Sequence, residues 1–414
     1  MPIKGTITLP GDKSISHRSV MLAALSNQSS KITNISNGKD VNSTISCLID
    51  CGINIDMSPK HLFVTGGEFK QPKSDLDCGN SGTTMRLLIG LLAGQGINAN
   101  FIGDKSLSHR PMDRIIEPLE KMGLNIESNG IRPPIHISKS KLKGINYNMP
   151  ISSAQVKSSI LLAALGSDTE TKITEKITSR DHSEIMLKNI GVDITTDGRS
   201  IIVAPCNKFL PLDIHIPADP STAAFFIGAT VLMPGSKLRV MNMLLNETRI
   251  GFIKALEKMG CSFNYYNVHK EAGEKVGDIE VTYHKLHGIN IDASDIPSLI
   301  DELPMLALIA SQARGITKVS GAKELRVKES DRIKAICKNL REIGGDIEEK
   351  SDGFIINGGT ELTSGNIDTF DDHRIAMTFH IASLISGKKI SLNNTNCVNI
   401  SFPDFFKTIE SIVR

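Results

Sequence analysis

Residues 80–94 read NSGTTMRLLIGLLAG, a short polar opening followed by a nearly continuous apolar run. Five other segments have the same design, and the starts of the six lie roughly 66–80 residues apart along the chain. At or next to each start is a Ser, Asn or Asp side chain that can accept hydrogen bonds from the unpaired N–H groups of a helix. Each segment is therefore predicted to be a buried helix. The six segments begin at Asp12, Asn80, Ser152, Ala218, Ser298 and Asp371.

A second series of predicted helices alternates with the first. Its members have apolar residues at spacings of three and four, and each ends in a glycine, which suits the left-handed conformation in which chains leave helices. Short alternating or β-branched runs separate the helices and are predicted to be strands, among them ITLP at residues 7–10 and IHISKS at residues 135–140. The closing glycines are Gly52, Gly123, Gly191, Gly260 and Gly344.

Six units of about 69 residues account for the whole chain of 414 residues. This repeat predicts an α/β (α+β) fold with two similar domains, each built from three αβ units. One domain is expected at residues 12–216, and the other is expected to combine residues 1–11 with residues 217–414. A coincidence among common Ala/Leu helices is the alternative, and two interleaved series with the same spacing argue against it.

The composition is that of an ordinary globular chain and excludes several classes of protein. Lys and Arg number 47 against 45 Asp and Glu, which argues against a protein that mainly coats nucleic acid or an anionic membrane. No stretch approaches the about 18 uninterrupted apolar residues of a membrane span. The seven cysteines are scattered without a CxxC pair, and no HExxH or Cys/His cluster indicates a metal. We therefore expect a cytoplasmic protein with no metal and no cofactor.

Small polar and cationic residues open the predicted buried helices. A helix N-terminus presents N–H groups and the positive end of the helix dipole, so it can bind an anion, and Gly82 would allow a close approach. If these ends share one cleft, that cleft would bind small, multiply charged anions. Taken singly, each feature has a plainer explanation as a helix cap or a solvated helix face. The residues are Lys13, Ser14, Arg18, Asn80, Ser81, Gly82, Thr83, Arg86, Ser153, Gln155, Asp371, Asp372, His373 and Arg374, with Arg110, Arg180, Lys328 and Arg332.

Three carboxylates lie within or beside these segments. Asp301 and Glu302 open an apolar run, where a solvated pair is not expected, and Glu329 is flanked by Lys328 and Arg332. Carboxylates among cations stay ionised and can accept or relay protons. This combination indicates acid–base chemistry on a phosphorylated or carboxylated metabolite.

Eight ordered motifs of the chain resemble those of the 5-enolpyruvylshikimate-3-phosphate (EPSP) synthase family. The resemblance covers essentially the whole length and implies that family's fold, two domains of three αβ units in an inside-out α/β barrel architecture. The motifs are PGDKSISHR (10–18), GNSGTTMR (79–86), HRPMDR (109–114), SSAQVKS (152–158), SRDHSE (179–184), DELPMLA (301–307), ELRVKESDR (324–332) and DDHRIAM (371–377).

The resemblance also implies an activity and a role for each site residue. The activity is transfer of the enolpyruvyl group of phosphoenolpyruvate to the 5-hydroxyl of 3-phosphoshikimate, in the shikimate pathway to chorismate and the aromatic amino acids. Asp301 is implied as the acceptor of the hydroxyl proton, Glu329 as the acid for the methylene, and His373 as a helper in the elimination, with Lys13 also catalytic. The residues implied for 3-phosphoshikimate are Lys13, Ser14, Arg18, Ser153, Gln155, Ser179, Arg180, Asp301 and Lys328. Those implied for phosphoenolpyruvate are Lys13, Gly82, Arg110, Gln155, Arg332 and Arg374.

The match to the family has departures, among them the residue at position 400, and two rival functions remain open. Many family members have a Lys where this chain has Ile400, so one phosphate contact is missing or supplied elsewhere. The sister UDP-N-acetylglucosamine enolpyruvyl transferases usually have a reactive Cys at the position of Lys105. A non-enzymatic polyanion- or RNA-binding repeat protein is the other rival, and the near-neutral charge and absence of Trp argue against it. We expect a monomer that acts on small molecules, with no nucleic-acid or membrane partner.

Overall fold

A computed structural model describes residues 1–58 and 61–414 of the chain. The contacts divide it into two compact units. Unit 1 comprises Met1–Pro10, Pro217–Lys270 and Lys275–Arg414, and unit 2 comprises Gly11–Ile216 with Glu271–Glu274. This division differs from the predicted domain ranges at two places. Gly11 lies with unit 2, because its N–H bonds the Asn34 carbonyl there at 3.0 Å, and so does the hairpin turn Glu271–Glu274.

In the part of the chain that the structure describes, six apolar helices lie in the cores, three in each unit, and each begins within one of the predicted repeat segments. Five of them begin after a residue whose side chain accepts a backbone N–H bond: Asp12, Ser81, Ser153, Asp219 and Asp372. The caps agree with the local chemistry read from the sequence, so the helices of the repeat were predictable. They are α1 (Lys13–Ala23), α3 (Gly82–Gly94), α5 (Ala154–Ala164), α7 (Pro220–Leu232), α10 (Leu303–Gln312) and α12 (His373–Ser386).

The second series of helices is also present: the described residues contain the five members that close on a glycine and, for the sixth predicted unit, one additional helix. The five predicted closing glycines all have positive φ, between 84° and 100°, which favours glycine over other residues. The additional helix, α13 (Phe405–Ile412), has no closing glycine. The others are α2 (Lys39–Asp50), α4 (Asp113–Lys121), α6 (His182–Asn189), α8 (Gly251–Lys258) and α11 (Arg332–Glu342), and the short α9 (Ile296–Leu299) precedes α10.

Among the described residues, three small sheets accompany the helices of each unit. Five of the six sheets have four strands in the same arrangement, in which a short edge strand pairs in parallel with a second strand that then adjoins an antiparallel hairpin. In unit 2 the sheets are β13-β2-β4-β3, β5-β6-β8-β7 and β11-β12-β10-β9. In unit 1 they are β1-β14-β16-β15, β17-β18-β20-β19 and the two-stranded β21-β22. The mixed α/β class that the repeat predicts is confirmed.

The bounds of the strands follow in chain order. They are β1 (Lys4–Ile7), β2 (Ser30–Thr33), β3 (Asn54–Met57), β4 (His61–Thr65), β5 (Leu76–Asp77), β6 (Ala99–Ile102), β7 (Asn125–Asn129) and β8 (Arg132–Ser138). Next come β9 (Asn146–Asn148), β10 (Thr171–Thr174), β11 (Ile194–Asp197), β12 (Ser200–Val203), β13 (Ile214–His215), β14 (Lys237–Leu244) and β15 (Phe263–Glu271). The last are β16 (Glu274–Thr282), β17 (Asn290–Ile291), β18 (Ile316–Val319), β19 (Asp346–Lys350), β20 (Gly353–Asn357), β21 (Gly365–Ile367) and β22 (Ile390–Leu392).

The first strand lies earlier in the chain than was predicted. The alternating run at residues 7–10 suggested a strand there, but β1 ends at Ile7, where its parallel pairing with Val240 of β14 also ends. Pro10 has no N–H to donate to a ladder, which is consistent with a strand that stops before it. Among the described residues, no helix is long and apolar enough to cross a membrane.

Candidate active site

The first turn of α1 holds a lysine that is paired with a carboxylate. Lys13 is the first residue of the helix, and its Nζ lies 2.9 Å from Oδ2 of Asp40 in the first turn of α2. The side chain of Lys13 is 20% exposed and that of Asp40 is 8% exposed. Asp40 was not among the predicted site residues. An acidic residue in the first turn of an amphipathic helix was the only signal in the sequence, and it did not indicate a partner.

The N-terminus of α3 faces two guanidinium groups. A Cβ atom added to Gly82, the first residue of α3, would lie 3.3 Å from Nη1 of Arg110 and 3.4 Å from Nη1 of Arg86. Nη2 of Arg110 donates to Oδ1 of Asn80 at 2.9 Å, and Nη2 of Arg86 donates to the Pro111 carbonyl at 3.1 Å. Helix N–H groups and two arginines therefore converge at a position without a side chain, which is a suitable geometry for binding an anion.

Gln155 connects this anion site to the start of α5. Its Oε1 accepts a hydrogen bond from Nη1 of Arg86, and its Nε2 donates to Oγ1 of Thr83 at 2.8 Å. Ser153, two residues earlier, is the N-cap of α5. Arg86 was noted only as a cation one turn into α3 and was missing from the predicted site. Its position four residues after Gly82, on the same helix face, was the available signal.

Hydrogen bonds to a buried ion network hold Ser179 in place. Its hydroxyl and its backbone N–H both donate to the carboxylate of Glu175. Nζ of Lys157 lies 2.9 Å from Glu175 and 2.6 Å from Glu184. Burial opposes the charge on Lys157, but the two carboxylates raise its pKa above the ordinary value, whereas burial raises the pKa of Glu184. The network fixes the backbone at Ser179 and hence the position of Arg180 beside it.

Arg18 is buried among serines. Its Nε donates to Oγ of Ser183 and its Nη2 to Oγ of Ser158, both at 2.7 Å, while Nη1 donates to the carbonyl of Ser14 at 2.9 Å. Burial lowers the pKa of Arg18 to about 10, so the guanidinium is still charged at neutral pH. Ser14 is half-buried one turn before it.

The predicted acid–base residues of unit 1 lie in one cluster. Asp301 sits in a 3-10 turn just before α10. Its Oδ1 is 3.6 Å from Nζ of Lys328 and 3.4 Å from Nη1 of Arg332, and its Oδ2 is 3.9 Å from Nη2 of Arg374. Three cations surround one partly exposed carboxylate, and a carboxylate in such surroundings stays ionised.

Arg332 organises the rest of this cluster. The guanidinium is 1% exposed and donates to Oε2 of Glu329 at 2.6 Å and to Oδ2 of Asp372 at 2.8 Å. Burial opposes its charge, but Asp372 and Glu329 raise the pKa of Arg332 above its ordinary range. Asp372 is also the N-cap of α12, where it accepts the Arg374 N–H at 2.9 Å. The sequence placed Asp372 at this helix start but not as the partner of Arg332.

His373 and Arg374 open α12. Both are buried, with the His373 side chain 1% exposed, and Nη1 of Arg374 donates to the Asp301 carbonyl at 3.2 Å. Arg374 at the start of α12 therefore contacts both the main-chain carbonyl and the side chain of Asp301.

Glu302 has a different environment from its neighbour Asp301. It is buried, accepts a hydrogen bond from the Ser221 hydroxyl, and lies 3.9 Å from Nη1 of Arg249. Arg249 in turn donates to Asp219, the N-cap of α7, at 2.9 Å. Glu302 thus anchors the turn that contains Asp301. Its bonding partners explain how a second carboxylate can lie buried at the start of an apolar helix.

Two further expectations can be compared with the structure. Ile400 is half-buried and packs against the unit 1 core, so this position supplies no cation. Among the described residues, no group of three or more His, Cys, Asp or Glu side chains is arranged to hold a metal ion.

Comparison with known proteins identifies the family. Residues 1–409 match the family model described as EPSP synthase (3-phosphoshikimate 1-carboxyvinyltransferase). The chain belongs to the EPSP synthase family. A 3-phosphoshikimate 1-carboxyvinyltransferase of Endomicrobium trichonymphae is 46% identical over 420 residues, covering 100% of this chain and 98% of that protein. One from Sulfurihydrogenibium is 43% identical over 421 residues, covering 100% and 98%.

Solved structures agree with this assignment. The EPSP synthase of Acinetobacter baumannii superposes with a TM-score of 0.88 at 38% identity, covering 99% of this chain and 96% of that one. The enolpyruvyl transferase NikO of Streptomyces tendae has a TM-score of 0.79 at 15% identity, covering 99% and 95%, and so supports the fold alone. The expected family and the two-domain enolpyruvyl transferase fold are thereby confirmed.

Proposed function

We propose that the residues described above carry out the reaction of this transferase family, in which the enolpyruvyl group of phosphoenolpyruvate passes to the 5-hydroxyl of 3-phosphoshikimate. The products are 5-enolpyruvylshikimate 3-phosphate and phosphate. The observation that carries the proposal is Asp301, a partly exposed carboxylate with Lys328, Arg332 and Arg374 within 3.9 Å. The reaction removes a proton from a hydroxyl of one anionic substrate while a second anion is bound beside it. A carboxylate base among cations suits this chemistry, because the cations offset the negative charge of the substrates.

Unit 2 supplies most of the binding groups for 3-phosphoshikimate in this proposal. Ser153, Gln155, Ser179 and Arg180 would bind its 3-phosphate and ring, and Lys13, Ser14 and Arg18 the ring, its carboxylate and its hydroxyls. Lys328 and Asp301 are the remaining proposed contacts. The capping serine of α5 and the rigidly held backbone at Ser179 support these roles. Preformed hydrogen-bonding groups reduce the entropy lost on binding.

Phosphoenolpyruvate would be bound by the helix N-terminus at Gly82 together with several cations. Arg110 supports the role of Gly82 because its guanidinium approaches the vacant Cβ position. The other contributors are Lys13, Gln155, Arg332 and Arg374. Arginine pairs bidentately with carboxylate and phosphate oxygens, so this set suits a substrate that has both groups.

The proton transfers balance over the reaction. Asp301 accepts the proton of the 5-hydroxyl as its oxygen bonds to C2 of phosphoenolpyruvate, and Glu329 donates a proton to the methylene carbon C3. The resulting tetrahedral intermediate then loses phosphate, which takes up the proton held by Asp301. The Glu329 carboxylate takes a proton back from the methyl group, which restores the double bond and both starting protonation states. His373, at the start of α12, assists this elimination. An anion bound at Arg332 would compete with Glu329 for the guanidinium, which favours the protonated acid that the first step needs.

The decisive experiment is phosphate release from phosphoenolpyruvate in the presence of 3-phosphoshikimate. A matched reaction with UDP-N-acetylglucosamine is the control, since it tests the sister activity with the same donor. We expect phosphate release when 3-phosphoshikimate is the acceptor and none when the UDP-sugar is the acceptor. Release only with the UDP-sugar, or no release with either acceptor, would overturn the proposal.

We also propose that the chain acts as a cytoplasmic monomer. All seven cysteines are free thiols, six of them buried, which is consistent with a reducing compartment. Sedimentation equilibrium tests the monomer, which has an expected mass of 44.9 kDa.

A further inference from the structure

A chain of four buried polar side chains in unit 2 joins α1, α2 and the N-terminus of α3. Nδ1 of His17 lies 2.7 Å from Oγ1 of Thr44, which lies 2.7 Å from Oγ1 of Thr84. Oγ1 of Thr84 is 2.8 Å from Oγ of Ser81, the N-cap of α3. All four side chains are at most 1% exposed, so water does not substitute for these bonds.

The hydrogen positions in this chain follow from counting donors. Oγ1 of Thr84 also lies 3.2 Å from the Asp40 carbonyl, which can only accept a hydrogen bond. The single hydroxyl proton of Thr84 is therefore donated on this side, to the Asp40 carbonyl or to Oγ of Ser81, and not to Thr44. The bond between the two threonines then needs the proton of Thr44, so Thr44 must accept its other bond from Nδ1–H of His17.

This direction requires a neutral His17 protonated at Nδ1. Burial, with the nearby charges of Lys13 and Arg18, lowers the pKa of His17 well below its ordinary value, which keeps the ring neutral. Within the described residues, Nε2 of His17 has no hydrogen-bond partner, so the Nε2–H tautomer would bury an N–H donor without an acceptor, and the Nδ1–H tautomer avoids this cost.

We propose that His17 is a positioning residue for the phosphoenolpyruvate site. Acting through Thr44 and Thr84, its Nδ1–H holds the first turn of α3 against α1 and α2, and so fixes Gly82 opposite Arg110. This inference rests on the proposed function, because it assigns the first turn of α3 to phosphoenolpyruvate. The hydrogen-bonded series from His17 to Ser81 does not include the residues proposed to bind the 3-phosphate. Loss of these hydrogen bonds should therefore affect the binding of the two substrates unequally.

Thr44→Val tests the chain with little change of volume, because it replaces only the hydroxyl by a methyl group. The KM for phosphoenolpyruvate is expected to rise on the order of tenfold, while the KM for 3-phosphoshikimate stays within about twofold. Thr44→Ser keeps the hydroxyl and is the matched control with near-normal constants. His17→Leu should match Thr44→Val, and His17→Asn, which keeps a donor at the δ position, should restore most of the loss.

A second readout is the tautomer of His17 in the wild-type protein, measured from the nitrogen-15 shifts of its ring. A neutral ring with the proton on Nδ1 is expected, with a mixture of tautomers in Thr44→Val. Nε2–H or a doubly protonated ring at neutral pH would overturn the inference. So would an equal rise of both KM values in an active, folded Thr44→Val protein, and in that case the proposed function would stand. An inactive wild-type protein would overturn the proposed function and this inference together.

Discussion

At the scale of single residues, the environment separates two adjacent carboxylates into different roles. Asp301 is partly exposed and faces three cations, whereas Glu302 is buried and bonded to Ser221. Only the first can reach a substrate and exchange a proton with it. The sequence predicted that both were unusual, but it could not assign the roles because Arg249, which accompanies Glu302, lies about fifty residues away in the chain.

Asp301→Asn should bind both substrates and turn over poorly. The amide keeps the shape of the side chain but cannot accept the hydroxyl proton, so kcat should fall by about 10²–10⁴-fold. Lys328→Ala is the contrasting variant, since it removes a charge and should mainly raise the KM for 3-phosphoshikimate. Steady-state kinetics with each substrate varied in turn provides the measurement. An Asp301→Asn protein with normal kcat and a raised KM would show that Asp301 only binds.

Gly82→Ala should weaken the binding of phosphoenolpyruvate selectively. The new Cβ would lie 3.3 Å from Nη1 of Arg110 and 3.4 Å from Nη1 of Arg86, in the space proposed for the anion. The KM for phosphoenolpyruvate is expected to rise on the order of tenfold, the equivalent of a modest steric clash. The KM for 3-phosphoshikimate, measured in the same assays, is the internal control, and an equal change in both would contradict the assignment of Gly82.

At the scale of helices and strands, the sequence predicted the helix caps correctly, but it did not predict the ion pairs between residues that are distant along the chain. The caps Asp12, Ser81 and Ser153 act within three residues of their own positions, so the sequence reveals them. The Lys13–Asp40 and Arg332–Asp372 pairs span 27 and 40 residues, and only the packing of the helices brings them together. A single sequence contains no local signal for such contacts.

α12 also carries a histidine whose burial should make unit 1 sensitive to pH. The His380 ring lies 4.9 Å from that of Phe406 and 5.7 Å from that of Phe405, both on α13. Burial lowers the pKa of His380 below 6.5, although Glu410 opposes the shift. As the pH falls below 6.5, the unfolded chain therefore binds a proton more readily than the folded one, and the free energy of unfolding decreases.

His380→Phe should remove this contribution. Between pH 7.5 and pH 5.5, the free energy of unfolding of the His380→Phe protein should decline less than that of the wild type. The difference between the two proteins should be at most about 1.4 kcal/mol per pH unit below 6.5. Denaturant titrations at the two pH values provide the comparison. His269→Phe replaces an exposed histidine on β15 and is the matched control. Equal slopes for wild type and His380→Phe would contradict the prediction.

At the scale of the whole molecule, the proposed binding groups are distributed unevenly between the two units. All the residues proposed for 3-phosphoshikimate except Asp301 and Lys328 lie in unit 2. A ligand that binds the folded state lowers the frequency of local opening where it makes its contacts. We therefore expect 3-phosphoshikimate alone to slow amide hydrogen exchange mainly in unit 2, at the first turns of α1 and α5 and at residues 179–180.

Hydrogen exchange followed by mass spectrometry resolves the two units in one experiment. UDP-N-acetylglucosamine at the same concentration is the control and should leave exchange unchanged. Addition of phosphoenolpyruvate with 3-phosphoshikimate should extend the slowing to the first turns of α3 and α12, which contain Gly82 and Arg374. Slowing by 3-phosphoshikimate alone that is confined to unit 1 would refute the proposed division of the binding groups, because Ser153, Ser179 and Arg180 would then make no contact.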